Sequence, residues 1–286
     1  MTQVIDTVVA LREQVRAWRS AGELVGLVPT MGNLHRGHLS LVEALQSRVQ
    51  RVVVSVFVNP TQFGPGEDFD AYPRTLEADR EALASKGVDV VFAPPVREIY
   101  PDGPELRTRV DVPTLSDMLC GASRPGHFTG VATVVSKLFN IAQPDVAAFG
   151  KKDYQQLLVI RQMVRDLHFP LELLPVDTSR EPDGLALSSR NAYLSAEERT
   201  QAPLLAQTLQ GAVKRLQSGE AAARVEAWGR ETLNAGGFET DYFSVRRQAD
   251  LKEPQHGDRE LVVLAAARLG RARLIDNVEC ALNRPL

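Results

Sequence analysis

Residues 51–58 read RVVVSVFV, an almost unbroken run of β-branched and apolar side chains. A strand with one wet face alternates apolar and polar residues, so a run like this one has to be covered on both faces. A parallel sheet with helices packed on each side meets that demand. The flanking sequence supplies the other pieces. Residues 24–30 (LVGLVPT), 88–94 (VDVVFAP), 145–150 (DVAAFG) and 171–177 (LELLPVD) are further short apolar runs. Between them lie helical patterns: Leu41, Val42, Leu45 and Val49 in 38–49, residues 75–87 stopping at Gly87, Val131, Val134, Val135 and Leu138 in 130–142, and residues 154–167. Val8, Leu11, Val15 and Trp18 place one more helix ahead of the first run. The repeated β-α-β order predicts an α/β fold built on a Rossmann-like, doubly wound parallel sheet.

The pattern changes after residue 177. Residues 179–191 (SREPDGLALSSRN) are rich in turn formers. SAEE at 195–198 is a capping-box signature, and it predicts a long helix running through about residue 217. A second helix over 220–235 ends at Gly236 and Gly237. Runs at 241–247, 261–270 and 272–278 have no helices between them, which implies a small antiparallel sheet turned at Gly270. The expected organisation is a catalytic domain of residues 1–177 followed by a smaller α+β lid domain of residues 178–286.

Composition narrows the partners. The formal net charge is -3, so nucleic acid and membrane surfaces are not expected as the main partner. Any anion must be held by a local cluster. Cys120 and Cys280 match no metal or redox spacing and are expected as two reduced thiols. The N-terminal residues carry acids early and have no continuous apolar core, and no run is long enough to span a bilayer; the expected location is the cytoplasm.

Five stretches carry chemistry. MGNLHRGH (31–38) joins the first apolar run to a helix. Ligands of open parallel sheets bind outside the carboxyl ends of the strands, and a helix N-terminus suits phosphate. Gly32 and Gly37 let backbone approach a ligand, and His35 and His38 share one face of a helical turn. No third ligand has a natural zinc spacing nearby. In the loop after 51–58, Asn59 and Gln62 are uncharged hydrogen-bonding groups suited to a small hydroxylated carboxylate, and Asp79 downstream could hold a hydrated magnesium ion. Arg124 and His127 in SRPGHF read as supporting or structural residues. In FGKKDYQQ (149–156), Lys152 would complement a phosphate, Asp153 could cap the helix and touch a ribose hydroxyl, and Gln156 suits a polar substrate. Ser188, Ser189 and Arg190 in LALSSRN can embrace a triphosphate.

His-x-Gly-His alone resembles the nucleotidyl-transferring α/β superfamily, which includes class I aminoacyl-tRNA synthetases and small nucleotidylyltransferases. VPTMGNLHRGH, FVNPTQF, YPRT, SRPGHF, DGLALSSRN and ARLIDN together resemble the pantoate–β-alanine ligase family, in family order and over essentially the whole chain. The resemblance implies ATP-dependent condensation of (R)-pantoate with β-alanine through pantoyl adenylate, releasing pyrophosphate and AMP. It implies Mg2+, a homodimer, His38 as proton donor, and His35, His38 and Lys152 as the catalytic groups. It implies pantoate and β-alanine contacts from Gln62, Gln156 and Asn59. The ATP-binding set it implies is Met31, Gly32, Asn33, Leu34, His35, Arg36, Gly37, His38, Gly150, Lys151, Lys152, Asp153, Ser179, Leu187, Ser188, Ser189 and Arg190. Two departures stand out: Lys151 replaces a glutamate usual in the family, and Thr61 a methionine. The first adds charge beside Lys152, and whether it tightens ATP binding or lowers the Lys152 pKa stays open. Two other readings share His-x-Gly-His. A nucleotidylyltransferase stopping at a nucleotidyl product would not need both glutamine-bearing loops. A non-catalytic nucleotide-binding regulator would not need His38 and Lys152 together.

Overall fold

The computed structural model describes residues 2–67, 69–105 and 108–282. The chain divides into two compact units, Met1–Lys151 with Val159–Asp177, and Lys152–Leu158 with Thr178–Leu286. Segment Lys152–Leu158 thus groups with the C-terminal residues although it lies inside the N-terminal sequence.

The first unit holds a six-stranded parallel sheet. Its strands are β1 (Gln3–Ile5), β2 (Val25–Thr30), β3 (Arg51–Val56), β4 (Val90–Phe92), β5 (Val146–Gly150) and β6 (Glu172–Val176), in the spatial order β1-β4-β3-β2-β5-β6. The chain steps outward from β2 to β3 and β4 on one side, and from β5 to β6 on the other. The neighbours β2 and β5 therefore flank the topological switch point, where open α/β sheets bind ligands. β3 is buried along Val52, Val53, Val54 and Ser55, as its continuous apolar run requires.

Helices cover both faces. α1 (Val8–Ser20) is capped by Thr7, whose side chain accepts from the Ala10 amide. α2 (Arg36–Gln46) buries Leu41, Val42 and Leu45 against Val28, Val52, Val54 and Val146, with Leu83 of α3 (Leu76–Ser85) in the same cluster. α4 (Val96–Ile99) and α5 (Cys120–Ser123) are single turns. α6 (His127–Ala142) is buried along most of its length and packs, with α1, against β2. α7 (Tyr154–Asp166) follows β5. β1 was not anticipated: three residues at the sheet edge are too few to show a period.

In the second unit, α8 (Ala196–Gln201), α9 (Leu204–Gln217) and α10 (Ala222–Ala235) precede an antiparallel sheet of β7 (Glu239–Arg247), β8 (Glu260–Leu269) and β9 (Ala272–Ala281). Leu205, Leu209, Leu216, Val225 and Leu233 pack with Phe243, Val245, Leu261, Val263 and Leu274 into its core. The capping box is present, with the Glu198 amide donating to Ser195 Oγ and the Ser195 amide to Glu198. The single long helix expected to run to 217 is instead two. Pro203 has no amide hydrogen to continue the ladder, and α8 ends just before it. Gly270 takes φ +54° in the two-residue turn between β8 and β9. Cys120 and Cys280 are free and buried, and burial pushes the Cys280 thiol pKa up. Among the described residues no helix is long and apolar enough to cross a membrane.

Candidate active site

The His-x-Gly-His loop leaves β2 at the switch point. Thr30 Oγ1 donates to the Ser55 carbonyl (2.6 Å) and accepts from the Gly32 amide (3.2 Å), closing the turn. Gly32 (φ +80°) and Asn33 (φ +51°) are both left-handed, which turns consecutive amides inward. Asp79 receives them. Its Oδ2 accepts from the Asn33 amide (2.9 Å) and the Thr75 hydroxyl (3.1 Å), and its Oδ1 from the Leu34 amide (2.8 Å). Only 3% of Asp79 is exposed. Three of about four carboxylate lone-pair sites are thus used by the protein.

The two histidines are wired alike. His35 is the N-cap of α2; its amide donates to His38 Nδ1 (3.2 Å), and the Gly37 amide donates to His35 Nδ1 (3.1 Å). A nitrogen that accepts a backbone N–H carries no proton, so each neutral ring bears its hydrogen on Nε2. The ring centroids are 4.1 Å apart. Both imidazoles are therefore set as Nε2–H donors by backbone geometry that the loop itself supplies.

Asn59 lies at the start of a 3-10 turn, Pro60–Gln62, and is 1% exposed. Its Nδ2 donates to the Gly130 carbonyl (3.3 Å), and a carbonyl can only accept, so the amide orientation is fixed. Oδ1 then accepts from Tyr100 (2.8 Å) and Thr61 (3.0 Å). Burial pushes the Tyr100 pKa up, against the Thr61 hydrogen bond, which keeps its hydroxyl a donor. Asn59 Nδ2 also donates to Gln62 Oε1 (3.0 Å). Gln62 is consequently held with its N–H2 outward, and Nε2 reaches Met31 Sδ at 3.2 Å. The structure thus brings Met31, Asn59 and Gln62 together from two separate loops.

Arg124 and His127 brace that turn from behind. His127 Nδ1 lies 2.8 Å from the Gln62 carbonyl, and Arg124 sits 3.0 Å from His127 Nε2. Arg124 also forks onto Glu67 at 2.7 and 2.6 Å. Burial works against the Glu67 charge, but the Arg124 hydrogen bonds and charge outweigh it and hold the carboxyl below its ordinary range. At the end of β5, Lys151 pairs with Asp177 at 3.0 Å. The extra charge at this position is answered locally.

The second unit carries the other candidates. Lys152 and Asp153 form a 3-10 turn with Lys151 that runs into α7, with Lys152 Nζ 3.9 Å from Asp153. Gln156 lies on the first turn of α7 and is half-buried. Ser179 and Leu187 meet through the Leu187 amide and the Ser179 carbonyl (2.9 Å). Ser188 caps the short turn Ser189–Tyr193 by accepting from the Arg190 amide (3.3 Å). Among the described residues no group of three or more His, Cys, Asp or Glu side chains is assembled to hold a metal.

The first unit carries two ring donors at its switch point and a polar clamp that reaches Met31 of the same loop, and the second carries a lysine-bearing turn. The family model for pantoate-β-alanine ligase matches residues 3–279. The chain belongs to the pantoate–β-alanine ligase family. A pantothenate synthetase of Halorhodospira halophila is 60% identical over 277 residues, covering 96% of this chain and 97% of the relative. One from Alkalilimnicola ehrlichii is 58% identical over 275 residues, covering 96% of each. The crystal structure of pantothenate synthetase from Thermus thermophilus superposes with a TM-score of 0.89 at 49% identity, covering 96% of this chain and 98% of that one. That of pantoate–β-alanine ligase from Francisella tularensis, complexed with β-γ ATP and β-alanine, gives 0.82 at 34% identity and covers 97% of each. As a pantoate–β-alanine ligase, the chain is an amide-bond-forming enzyme of pantothenate biosynthesis. The Thr61 departure has a structural consequence: where the family commonly has an apolar methionine, this ligase adds a hydroxyl that bonds Asn59 and lies 3.2 Å from Tyr100.

Sequence reasoning missed Tyr100, Gly130 and the use made of Asp79. The only signal for Gly130 was its place in a helix that otherwise reads apolar.

Proposed function

We propose that this ligase activates pantoate by adenylation on ATP before it forms the amide. The pantoate carboxylate attacks the α-phosphorus of ATP, the bond to the β-phosphate oxygen breaks, and pyrophosphate leaves. The β-alanine amine then attacks the acyl carbon of pantoyl adenylate, AMP departs with the bonding pair, and the amine releases a proton. The observation that carries this reading is the matched wiring of His35 and His38, whose Nδ1 atoms accept loop amides and whose Nε2–H groups are thereby left as the ring donors. Donors already oriented toward developing phosphate charge lower a barrier without reorganisation.

In this reading the Nε2–H of His38 steadies the reacting phosphate by hydrogen bonding, His35 shares that task, and Lys152 adds a cation. Met31–Gly37 and Gly150–Asp153 serve ATP, with Gly150 and Asp153 toward the nucleoside. Ser188, Ser189 and Arg190 serve its β- and γ-phosphates, and Ser179 and Leu187 complete the ATP-binding set. Gln62, as an N–H donor, meets an acceptor oxygen of pantoate together with Gln156, with Asn59 behind it. A Mg2+ ion bound with the triphosphate would neutralise part of its charge; such ions keep most of their water and need only one or two protein carboxylates. The proposed division of labour gives adenylation to residues 1–177 and phosphate retention to the lid, 178–286. We also propose a cytoplasmic homodimer, which a mass measurement in solution checks.

Pantoate-dependent exchange of labelled pyrophosphate into ATP, without β-alanine, tests the mechanism. Exchange is expected only with pantoate present. A folded, ATP-binding preparation that shows none sinks the adenylate.

The pantoate clamp has its own test. A Cβ on Gly130 would overlap the Thr61 carbonyl, and backbone cannot swing aside as a side chain does. Gly130→Ala is expected to destabilise the protein by about 1–3 kcal/mol through overpacking. Because the displaced turn carries Gln62, the KM for pantoate should rise several-fold more than that for ATP. Thermal unfolding and steady-state kinetics read the two effects separately.

A further inference from the structure

The stretch ARLIDN (272–277) has no part in the chemistry above, yet it ends on two buried polar residues of β9, Asp276 and Asn277. Neighbouring strand residues point to opposite faces. Asp276 turns one way and receives Arg180 in a two-pronged pair at 2.6 and 2.9 Å. Arg180 also donates to the Gly184 carbonyl at 3.0 Å, and an isolated bridge joins it to Ala186, so this pair fixes the base of the loop bearing Ser188–Arg190. Asn277 turns the other way. Its Nδ2 donates to the carbonyl of Lys152 at 2.9 Å, across 125 positions of sequence. Its backbone amide donates to Asp276 Oδ1 at 2.8 Å, which ties the Asp276 carboxylate to the backbone at Asn277.

We propose that Asn277 is a positioning residue for Lys152, a proposal that rests on Lys152 meeting the reacting phosphate. The ladder already pairs Asn277 with Leu264, so β9 has no need of the side-chain amide. A lysine ammonium sits at the end of four rotatable carbons, and its placement depends on how firmly the backbone at its root is held. Asn277 holds that root. Tyr154 adds a second tether two residues on, its hydroxyl 3.2 Å from the Gln248 carbonyl. The same strand thus spaces the lysine turn and the serine-arginine loop from adjacent residues, which accounts for segment Lys152–Leu158 grouping with the C-terminal unit. Small displacements of a reacting group cost rate far more than they cost stability.

A double-mutant cycle in the exchange assay decides it. Lys152→Ala is expected to slow exchange at saturating ATP and pantoate by about 10²-fold or more. Asn277→Ala should lower the same rate by about tenfold, with KM for ATP changed much less. Combined, the two should be no slower than Lys152→Ala alone, because a residue acting only through Lys152 has nothing left to position. If the losses multiply, or if Asn277→Ala keeps the parent rate, the positioning role is overturned while Lys152 keeps its own. A near-parent rate for Lys152→Ala would instead overturn the reading of Lys152 itself. Should Asn277→Ala not fold, Asn277→Ser, polar but too short to reach the carbonyl, takes its place in the same cycle.

Discussion

His38→Ala is expected to slow pantoate-dependent ATP–pyrophosphate exchange by about 10²–10³-fold, the usual loss when one oriented donor to transition-state charge is removed. The ring does two things that alanine cannot. Its Nδ1 accepts the His35 amide and completes the cap of α2, and its Nε2–H is the proposed donor to the phosphate. A lost cap costs about 1 kcal/mol of stability, whereas a lost donor leaves stability alone and costs rate. Two amide variants separate them. An asparagine amide overlies the Nδ1 side of the ring, so His38→Asn should restore the cap and the unfolding midpoint but stay slow. A glutamine amide reaches the Nε2 side, so His38→Gln should recover part of the rate. Exchange kinetics beside a thermal melt reads both. A fast His38→Asn enzyme would show that no group is needed at Nε2, and His38 would be reduced to a helix cap.

Local pattern carried the central sheet and lost its margins. β3 announces itself because it lies in an almost unbroken apolar run of eight residues, 51–58, whereas β1 spans three residues and pairs with β4 at the edge. The break at Pro203 was visible as a residue type, yet the capping box ahead of it favoured one continuous helix. At the candidate site the sequence offered side chains of useful chemistry, but not what holds them. His35 and His38 are set by amides within the same loop, so their spacing contains the information. Asn59 depends on Tyr100 and Gly130, Lys152 on Asn277, and the loop amides on Asp79, each contact reaching across 41 to 125 positions. A periodicity of two or 3.6 residues has no access to such pairs. The contacts of Asn59 and of the loop amides form within the first unit and that of Lys152 within the second, so each waits on the fold of its own unit.

Asp79→Asn should show how much of the active-site loop rests on one carboxylate. Residues 33 and 34 both point their amides at it, and Gly32, at φ +80°, passes so close that a Cβ there would sit 3.0 Å from Oδ2. The variant changes almost no volume. Whichever way the new amide turns, however, its N–H2 faces a backbone N–H, because Oδ1 and Oδ2 each serve one. Hydrogen bonds to a charged acceptor contribute about 1.5–3 kcal/mol each, so a loss of about 2–3 kcal/mol in stability is expected. The left-handed turn at Asn33 then loses the contacts that compensate it, and His35, two residues on, loses its register. Exchange should fall by at least about tenfold, with KM for ATP rising. Magnesium dependence distinguishes this from the metal-ligand role suggested by sequence. If Asp79 orders the loop, the Mg2+ concentration for half-maximal rate at saturating ATP stays where it is in the parent. If Asp79 binds the ion, that midpoint moves to much higher Mg2+ and excess metal restores the rate. Asp79→Ala, which leaves both amides without their acceptor and adds no opposing donor, should match Asp79→Asn in the loop case and follow it in the metal case. A parent-like rate at high Mg2+ in either variant would return Asp79 to the ion and leave the loop to be held by Thr30 and its own turn.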